Sequence, residues 1–410
     1  MSLKVKLTST ILAFCLILGL LVMGVFATSQ ATVNLGGSLT FMATNVYAKV
    51  TGTISGTASA TQPELDDIYI DDETIEGDID TWASQDLAFK DDGTAITIEV
   101  TIENLATDRP LYVSALDTVG IVDNVTKTIA NGAFVLEEQG SGNESKTITI
   151  TLKVSDLNTS LPADALYGYK FELLDESGVL SSTDSKYENK LLFNQLTEDT
   201  VSVVTAGVNV EGDPSENTYT LTGDVVIPAY VKYDGKVCSV AEIGSFAFGF
   251  PDGSGCSLNS LTLPNTIKSI STAAFANCSI TKGIVLPDSL TTLVENAFTS
   301  FRVTSIIIPN SVTEIGPSCF CFCSELENLR LPNNGQITKI QYETFTGCSK
   351  LKMVFIPKSV IEIERAAFGE CTLTDVYYEG TEEEWNAITI SDENDANDAL
   401  KSATIHFNSK

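Results

Sequence analysis

Cys319, Cys321 and Cys323 stand at alternate positions, and three thiolates so placed suit a soft divalent ion if further ligands join them. The chain has one histidine, His406, in the closing segment SATIHF. A zinc set or an acid–base dyad would therefore lack its usual second imidazole, and His406 reads as the filler of an edge strand. The run PELDDIYIDDETIEGDID, from Pro63 to Asp80, is dense in the hard oxygen ligands that calcium takes. It lacks the D-x-[DN]-x-[DN]-G loop spacing, so it reads first as a solvated acidic loop, with calcium the one ion that it suits. No G-x-G-x-x-G, P-loop or G-x-S-x-G occurs, and the chain is expected not to be an enzyme.

The cysteines sit inside a repeat. Prolines fall at 264, 287, 309, 332 and 357 and phenylalanines at 275, 298, 320, 345 and 368, two columns with one period of about 23 residues. Three residues and one residue before each proline stand Leu261/Leu263, Ile284/Leu286, Ile306/Ile308, Leu329/Leu331 and Val354/Ile356. Three and six residues after it stand further aliphatics such as Ile267 and Ile270; two extra residues in LPNNGQITKI displace Ile337 and Ile340. The alternating pair predicts a short strand with one face inward, and proline, which cannot donate to a ladder, ends it. One unit cannot bury these groups alone; stacked units make a continuous core and a parallel sheet. Three residues after each Phe comes Cys278, Phe301, Cys323, Cys348 or Cys371. This column predicts thiols stacked about 4.8 Å apart as small buried hydrophobes, and it turns Cys319–Cys323 into part of a core, not a metal site. Disulfides are the alternative in an oxidising compartment, although parallel side-chain vectors suit them poorly.

Side chains two residues before the proline must point away from such a core. They are Thr262, Val285, Ile307, Arg330 and Phe355, with Tyr377 in the last unit and Met353 beside Phe355 on the same face. Strand propensity alone favours Val, Ile, Phe and Tyr there. An apolar stripe with an arginine in it also has the composition of a protein-binding surface, and these seven residues are the expected partner-binding set.

The N-terminal half follows a different rule. Ile96, Ile98, Val100 and Ile102 alternate with polar residues, as do Ile148 to Val154, Tyr167 to Leu173, and Val33, Leu35, Leu39 and Phe41. Period-two alternation bounded by Gly, Asn and Asp predicts antiparallel strands in a β-sandwich of jelly-roll or immunoglobulin-like kind. Upstream, Lys4 and Lys6 precede the apolar run Ile11 to Ala27, the layout of a cleaved export leader; an uncleaved membrane anchor is the alternative. The expected organisation is a leader at 1–27, a sandwich at 30–176, a polar linker at 177–200, and a repeat unit with its C-terminal cap at 201–410. The fold class is mostly β, an antiparallel sandwich followed by a short solenoid with a parallel sheet.

The chain carries 24 Lys plus Arg against 54 Asp plus Glu, a net charge of −30, and most of the excess lies before Val226. That field disfavours nucleic acid and anionic lipid as partners.

The pattern L-x2-[LIV]-x-[LI]-P-x2-[VIL]-x2-[IL]-x4-F-x2-C, with phrases such as LTLPNTIKSISTAAFANC and IIIPNSVTEIGPSCFCFC, resembles BspA-type leucine-rich repeats over roughly Val225 to Asn408. VYYEGTEEEWNAITI and ATIHF resemble the family's closing cap; there Thr381 and Glu384 form a capping box and Trp385 shields the last coil. The resemblance implies a secreted or cell-surface protein that binds other extracellular or surface proteins, with no catalytic residue to carry over. The segment ITIEVTIENLATDRPLYVS resembles the camelysin/TasA group of exported fibre-forming sandwiches. That likeness implies the rival reading, a structural fibre or matrix component polymerising through its sandwich.

Overall fold

The computed structural model describes residues 33–44, 46–55, 68–70, 75–80, 87–89, 95–117, 125–154, 166–184, 191–205, 221–249, 255–391 and 396–409. The leader expected at 1–27 lies outside them, and of the acidic run Pro63–Asp80 only the strands Ile68–Ile70 and Ile75–Asp80 are described.

The N-terminal half forms two sheets. One has the order Ile75–Asp80, Val33–Thr44, Leu166–Leu174, Leu111–Asp117, Ala133–Leu136, with Leu87–Phe89 also on Val33–Thr44. The other has the order Ile68–Ile70, Ala48–Ser55, Ile96–Asn104, Ser145–Val154, Val125–Ala130. The alternating residues do what their period demands: Ile96, Val100, Ile102, Ile148 and Ile150 are fully buried in one core with Val113, Ala115 and Phe171. Among the described residues the sandwich departs from antiparallel pairing where Val33–Thr44 runs parallel to Leu166–Leu174. A parallel pair needs a long crossover, and the rest of the domain supplies it.

The C-terminal half is a solenoid whose coils are joined by three columns of hydrogen bonds. The first column is the outward sheet, made in its later coils by Ser305–Ile307, Asn328–Arg330, Met353–Ile356, Asp375–Tyr378 and Thr404–His406, all parallel and in register. The second holds two-residue strands, Ser269–Ile270, Thr292–Leu293 and Glu314–Ile315, then Lys339–Ile340, Glu362–Ile363 and Thr389–Ile390. It breaks between Ile315 and Lys339, where the two extra residues fall. Side chains replace the missing backbone links there: Asn334 Nδ2 donates to the carbonyls of Asn310 and Val312, both at 2.7 Å, and Gln341 Nε2 to that of Ile315 at 2.9 Å.

The third column is the turn carrying the phenylalanines. Phe248, Phe275, Phe298, Phe320, Phe345 and Phe368 stack with ring centroids 5.1 to 5.7 Å apart and are completely buried. Burial of each such ring is worth about 1.5–3 kcal/mol. Two residues before each Phe the backbone is left-handed, at Phe246, Ala273, Asn296, Ser318, Glu343 and Ala366, with φ between 52° and 60°. Two residues after it the same holds at Asn277, Ser300, Phe322, Gly347 and Glu370. In this conformation the N–H points along the solenoid axis, so Ser318 N–H meets the Tyr342 carbonyl and Glu343 N–H that of Arg365.

The solenoid is closed at both ends. At its start Leu191–Gln195 and Thr200–Thr205 form a hairpin, and the second strand pairs in parallel with Lys236–Ile243. Leu191–Gln195 thus lies inside the range expected to be a linker, and in the same range Val179 is buried against Ala229 and Tyr230. At its far end the helix Glu382–Asn386 starts on the reciprocal Thr381/Glu384 capping box, and Trp385 packs edge-on against Tyr378 at 5.2 Å. Asn397, fully buried, then plugs the turn column. Its Oδ1 accepts from Phe368 N–H at 3.1 Å, where a further coil would have offered a carbonyl, and its Nδ2 donates to the carbonyls of Glu364 and Ser391.

The sandwich rests on the proline turns of the first two coils. Leu116 bridges Pro264, Tyr230 Oη donates to the Val113 carbonyl at 3.4 Å, and Lys127 faces Asp288 across the contact.

Candidate functional site

The outward sheet brings four of the seven expected residues into one row. Ile307, Arg330, Phe355 and Tyr377 are register partners in consecutive strands, and His406 continues the row in the strand Thr404–His406. Met353 lies in the adjacent row, between Asn328 and Asp375. All seven expected residues are half-buried, with their neighbours Ile306, Leu329, Val354 and Val376 turned into the core.

Two expected residues are not in this sheet. Thr262 belongs to Ser257–Thr262, in a separate three-stranded group, where it pairs with Val226. Val285 lies in no strand. Gly283 takes φ 75° and its N–H turns back to the Ile280 carbonyl, which breaks the second coil and leaves only a single bridge from Leu261 to Ile284.

Strict register stacks the row face to face. The Arg330 guanidinium carbon sits 4.2 Å from the Phe355 ring centroid. Phe355 and Tyr377 are 4.7 Å apart with ring planes at 17°, and Tyr377 and His406 are 4.6 Å apart at 13°. Such contacts add a few tenths to about 1.5 kcal/mol each beyond the area they bury. His406 Nε2 lies 2.7 Å from Asp375 Oδ1. The hydrogen bond from His406, and then that from Thr374, hold the Asp375 carboxyl below its ordinary range. His406 is therefore part of the row and not a bare edge filler. Its signal lay in the alignment of TIHF beneath DVYY as one more coil, which the missing proline concealed.

The cysteines have a different role. All eight that are described are buried and unbridged, and among the described residues no three His, Cys, Asp or Glu side chains are grouped to hold a metal ion. Burial pushes the Cys321 thiol up to about 12 and that of Cys319 higher still, so both are protonated at neutral pH. The thiols of Cys278, Cys323, Cys348 and Cys371 each lie 3.0–3.2 Å from the carbonyl of a Phe one coil back: Phe248, Phe298, Phe320 and Phe345. At these four coils the column takes a small apolar residue with one weak donor, which cysteine supplies, and in the remaining coil Phe301 fills the place by packing on Phe275 and Phe298.

The chain has two kinds of likeness to known proteins. The family model described as "BspA type Leucine rich repeat region" matches residues 240–375 in six copies. Among solved structures, a leucine-rich repeat protein from Bacteroides ovatus is 21% identical, with 46% of this chain and 57% of that one covered and a TM-score of 0.32. The pneumococcal vaccine antigen PcpA is 22% identical, covering 49% and 51%, with a TM-score of 0.36. The T. pallidum leucine rich repeat protein is 20% identical, covering 48% and 86%, with a TM-score of 0.32. The chain thus spans little more than half the length of the first two. No curated protein matches it. Residues 240–375, with their phenylalanine turns and outward sheet, are thus similar to the BspA-type leucine-rich-repeat family, and that match covers less than half of the chain.

Proposed function

We propose that this chain is a secreted or cell-surface binding protein, not an enzyme, whose repeats take an extracellular protein partner on the outward sheet. The observation that carries this reading is the row Ile307, Arg330, Phe355, Tyr377 and His406, half-exposed apolar and cationic side chains held in register on a rigid solenoid. A flat face with aromatic and arginine side chains at its centre has the make-up of an interaction hot spot. The N-terminal basic and apolar residues support export, and the net charge of −30 favours protein over nucleic acid or anionic lipid.

The test is capture of surface and extracellular proteins by the purified chain, wild type beside Ile307→Glu/Phe355→Glu. Saturable capture that the double variant loses, with an unchanged circular dichroism spectrum and melting transition, is the expected result. Capture that ignores the two substitutions, or a wild-type chain that captures nothing and sediments as a polymer, overturns the proposal. The second outcome belongs to the fibre reading.

A further inference from the structure

We infer that Asn131–Gly132 is a deamidation site that the contact between sandwich and solenoid keeps closed, so that its conversion both records and fixes a separation of the two halves.

The chain holds two Asn-Gly pairs, Asn131–Gly132 and Asn334–Gly335. A glycine carries no side chain to hinder its backbone nitrogen, which therefore reaches the preceding carboxamide more readily than that of any other residue. In the reaction the Gly132 nitrogen bonds to Asn131 Cγ and gives its proton to solvent, and Nδ2 leaves as ammonia. Water then opens the five-membered ring. Attack at Cγ gives aspartate. Attack at the main-chain carbonyl carbon gives isoaspartate, with the backbone rerouted through the side chain and one methylene longer. One water is consumed and one ammonia released, and nothing is oxidised or reduced.

The fold holds the two pairs in different ways. Asn334 is clamped by its own side chain: Nδ2 donates to the carbonyls of Asn310 and Val312, and Oδ1 accepts from Gln336 N–H at 2.8 Å. Asn131 is exposed, and its Nδ2 donates to the Thr147 carbonyl at 3.2 Å on the surface. What guards this pair is the glycine. The two residues are the whole link between Val125–Ala130 and Ala133–Leu136, which lie in different sheets. Gly132 is buried, and its carbonyl accepts from Ala115 N–H at 2.6 Å. A Cβ placed on it would lie 2.7 Å from Asn265 Nδ2 and 3.0 Å from Asn265 Cβ. Asn265 follows Pro264 in the first proline turn of the solenoid, so a side chain of the other half closes the space in which the Gly132 peptide must swing to reach Asn131 Cγ. The same tightness rejects the product. A corner one methylene longer, with a new carboxylate beside it, does not fit back under Asn265.

The experiment keeps the full chain at mildly alkaline pH, folded and in urea, and follows both pairs by peptide mapping and isoaspartyl methyltransferase labelling. Each pair is expected to convert at least about tenfold more slowly in the folded chain. Asn265→Tyr, which pushes the glycine away, should bring Asn131 close to its urea rate and leave Asn334 slow. A fast Asn334 would mark a variant with a damaged solenoid; Asn265→Ala, which only uncovers the glycine, then takes its place with the same expectation. Converted wild-type chain, separated by ion exchange, should exchange the Ala115 amide at least about tenfold faster than unconverted chain. Three outcomes overturn the inference: Asn131 converting in the folded wild type at its urea rate, Asn131 staying as slow as wild type in the Asn265 variant, or an Ala115 amide that conversion leaves unchanged.

Discussion

Ser318 shows how far the solenoid overrides local preference. Its φ is 54°, a conformation that costs an L-residue with a side chain about 1–2 kcal/mol, and it is held there because its N–H must reach the next coil. Ser318→Gly removes that cost and adds back some unfolded-state entropy, so the expected net gain is about 0.5–1 kcal/mol in urea unfolding. The same change at Ser305, in the strand Ser305–Ile307 and outside the left-handed positions, should cost a similar amount. Only Gly347, Asn277 and Asn296 hint at these positions in the sequence; Ala, Ser, Glu and Phe occupy the others, so residue type could not reveal them. The cysteine column was readable as buried thiols from its period. The bond from each thiol to a Phe carbonyl was not, because it depends on the turn that the left-handed residues make.

At the scale of elements, what was legible was whatever recurs. Strand, proline stop, phenylalanine and the capping box at Thr381 and Glu384 follow from spacing and residue chemistry. What escaped was non-recurrent: the coil broken at Gly283, the strand Leu191–Gln195 in a polar stretch, and Asn397, whose task is defined only by where the chain returns. Asn397→Ala should leave the Phe368 N–H and the carbonyls of Glu364 and Ser391 without their partner in a buried place. The expected loss is about 2–4 kcal/mol in denaturant unfolding, with amide exchange fastest in the last coil. Asn386→Ala, exposed on the cap helix, should shift stability by less than about 0.5 kcal/mol.

For the molecule as a whole, the contact between sandwich and solenoid contributes a pH-dependent term of its own. Burial raises the Asp288 carboxyl to about 7, and its attraction to Lys127 only partly opposes this; burial likewise lowers Lys127 to about 8. A carboxyl whose folded value lies above its unfolded one stabilises the fold at low pH and loses that contribution as pH rises through about 7. Lys127, depressed by the same burial, contributes in the opposite sense and regains stability as pH rises toward the ordinary lysine range. Asp288→Asn cannot ionise, and relative to wild type it should gain on the order of 2 kcal/mol as pH is raised from 4.5 to 7.5. Thermal melts of the two proteins at both values measure the difference, and a constant offset would show that Asp288 keeps an ordinary carboxyl. Asn265, which lies against Gly132 of the sandwich, and Thr266 beside it are buried, whereas Asn310 and Ser311, their counterparts two coils on, are more open.

The Asn397 plug has one more consequence. Because a single side chain imitates the carbonyl of an absent coil, the last repeat need not differ from those before it. A duplicated unit inserted upstream of residue 345 would meet the same contacts above and below, and would lengthen the array by about 4.8 Å without a new terminus. Repeat number is then free to change by duplication of a unit, and the reach of the molecule can change while its two ends stay as they are.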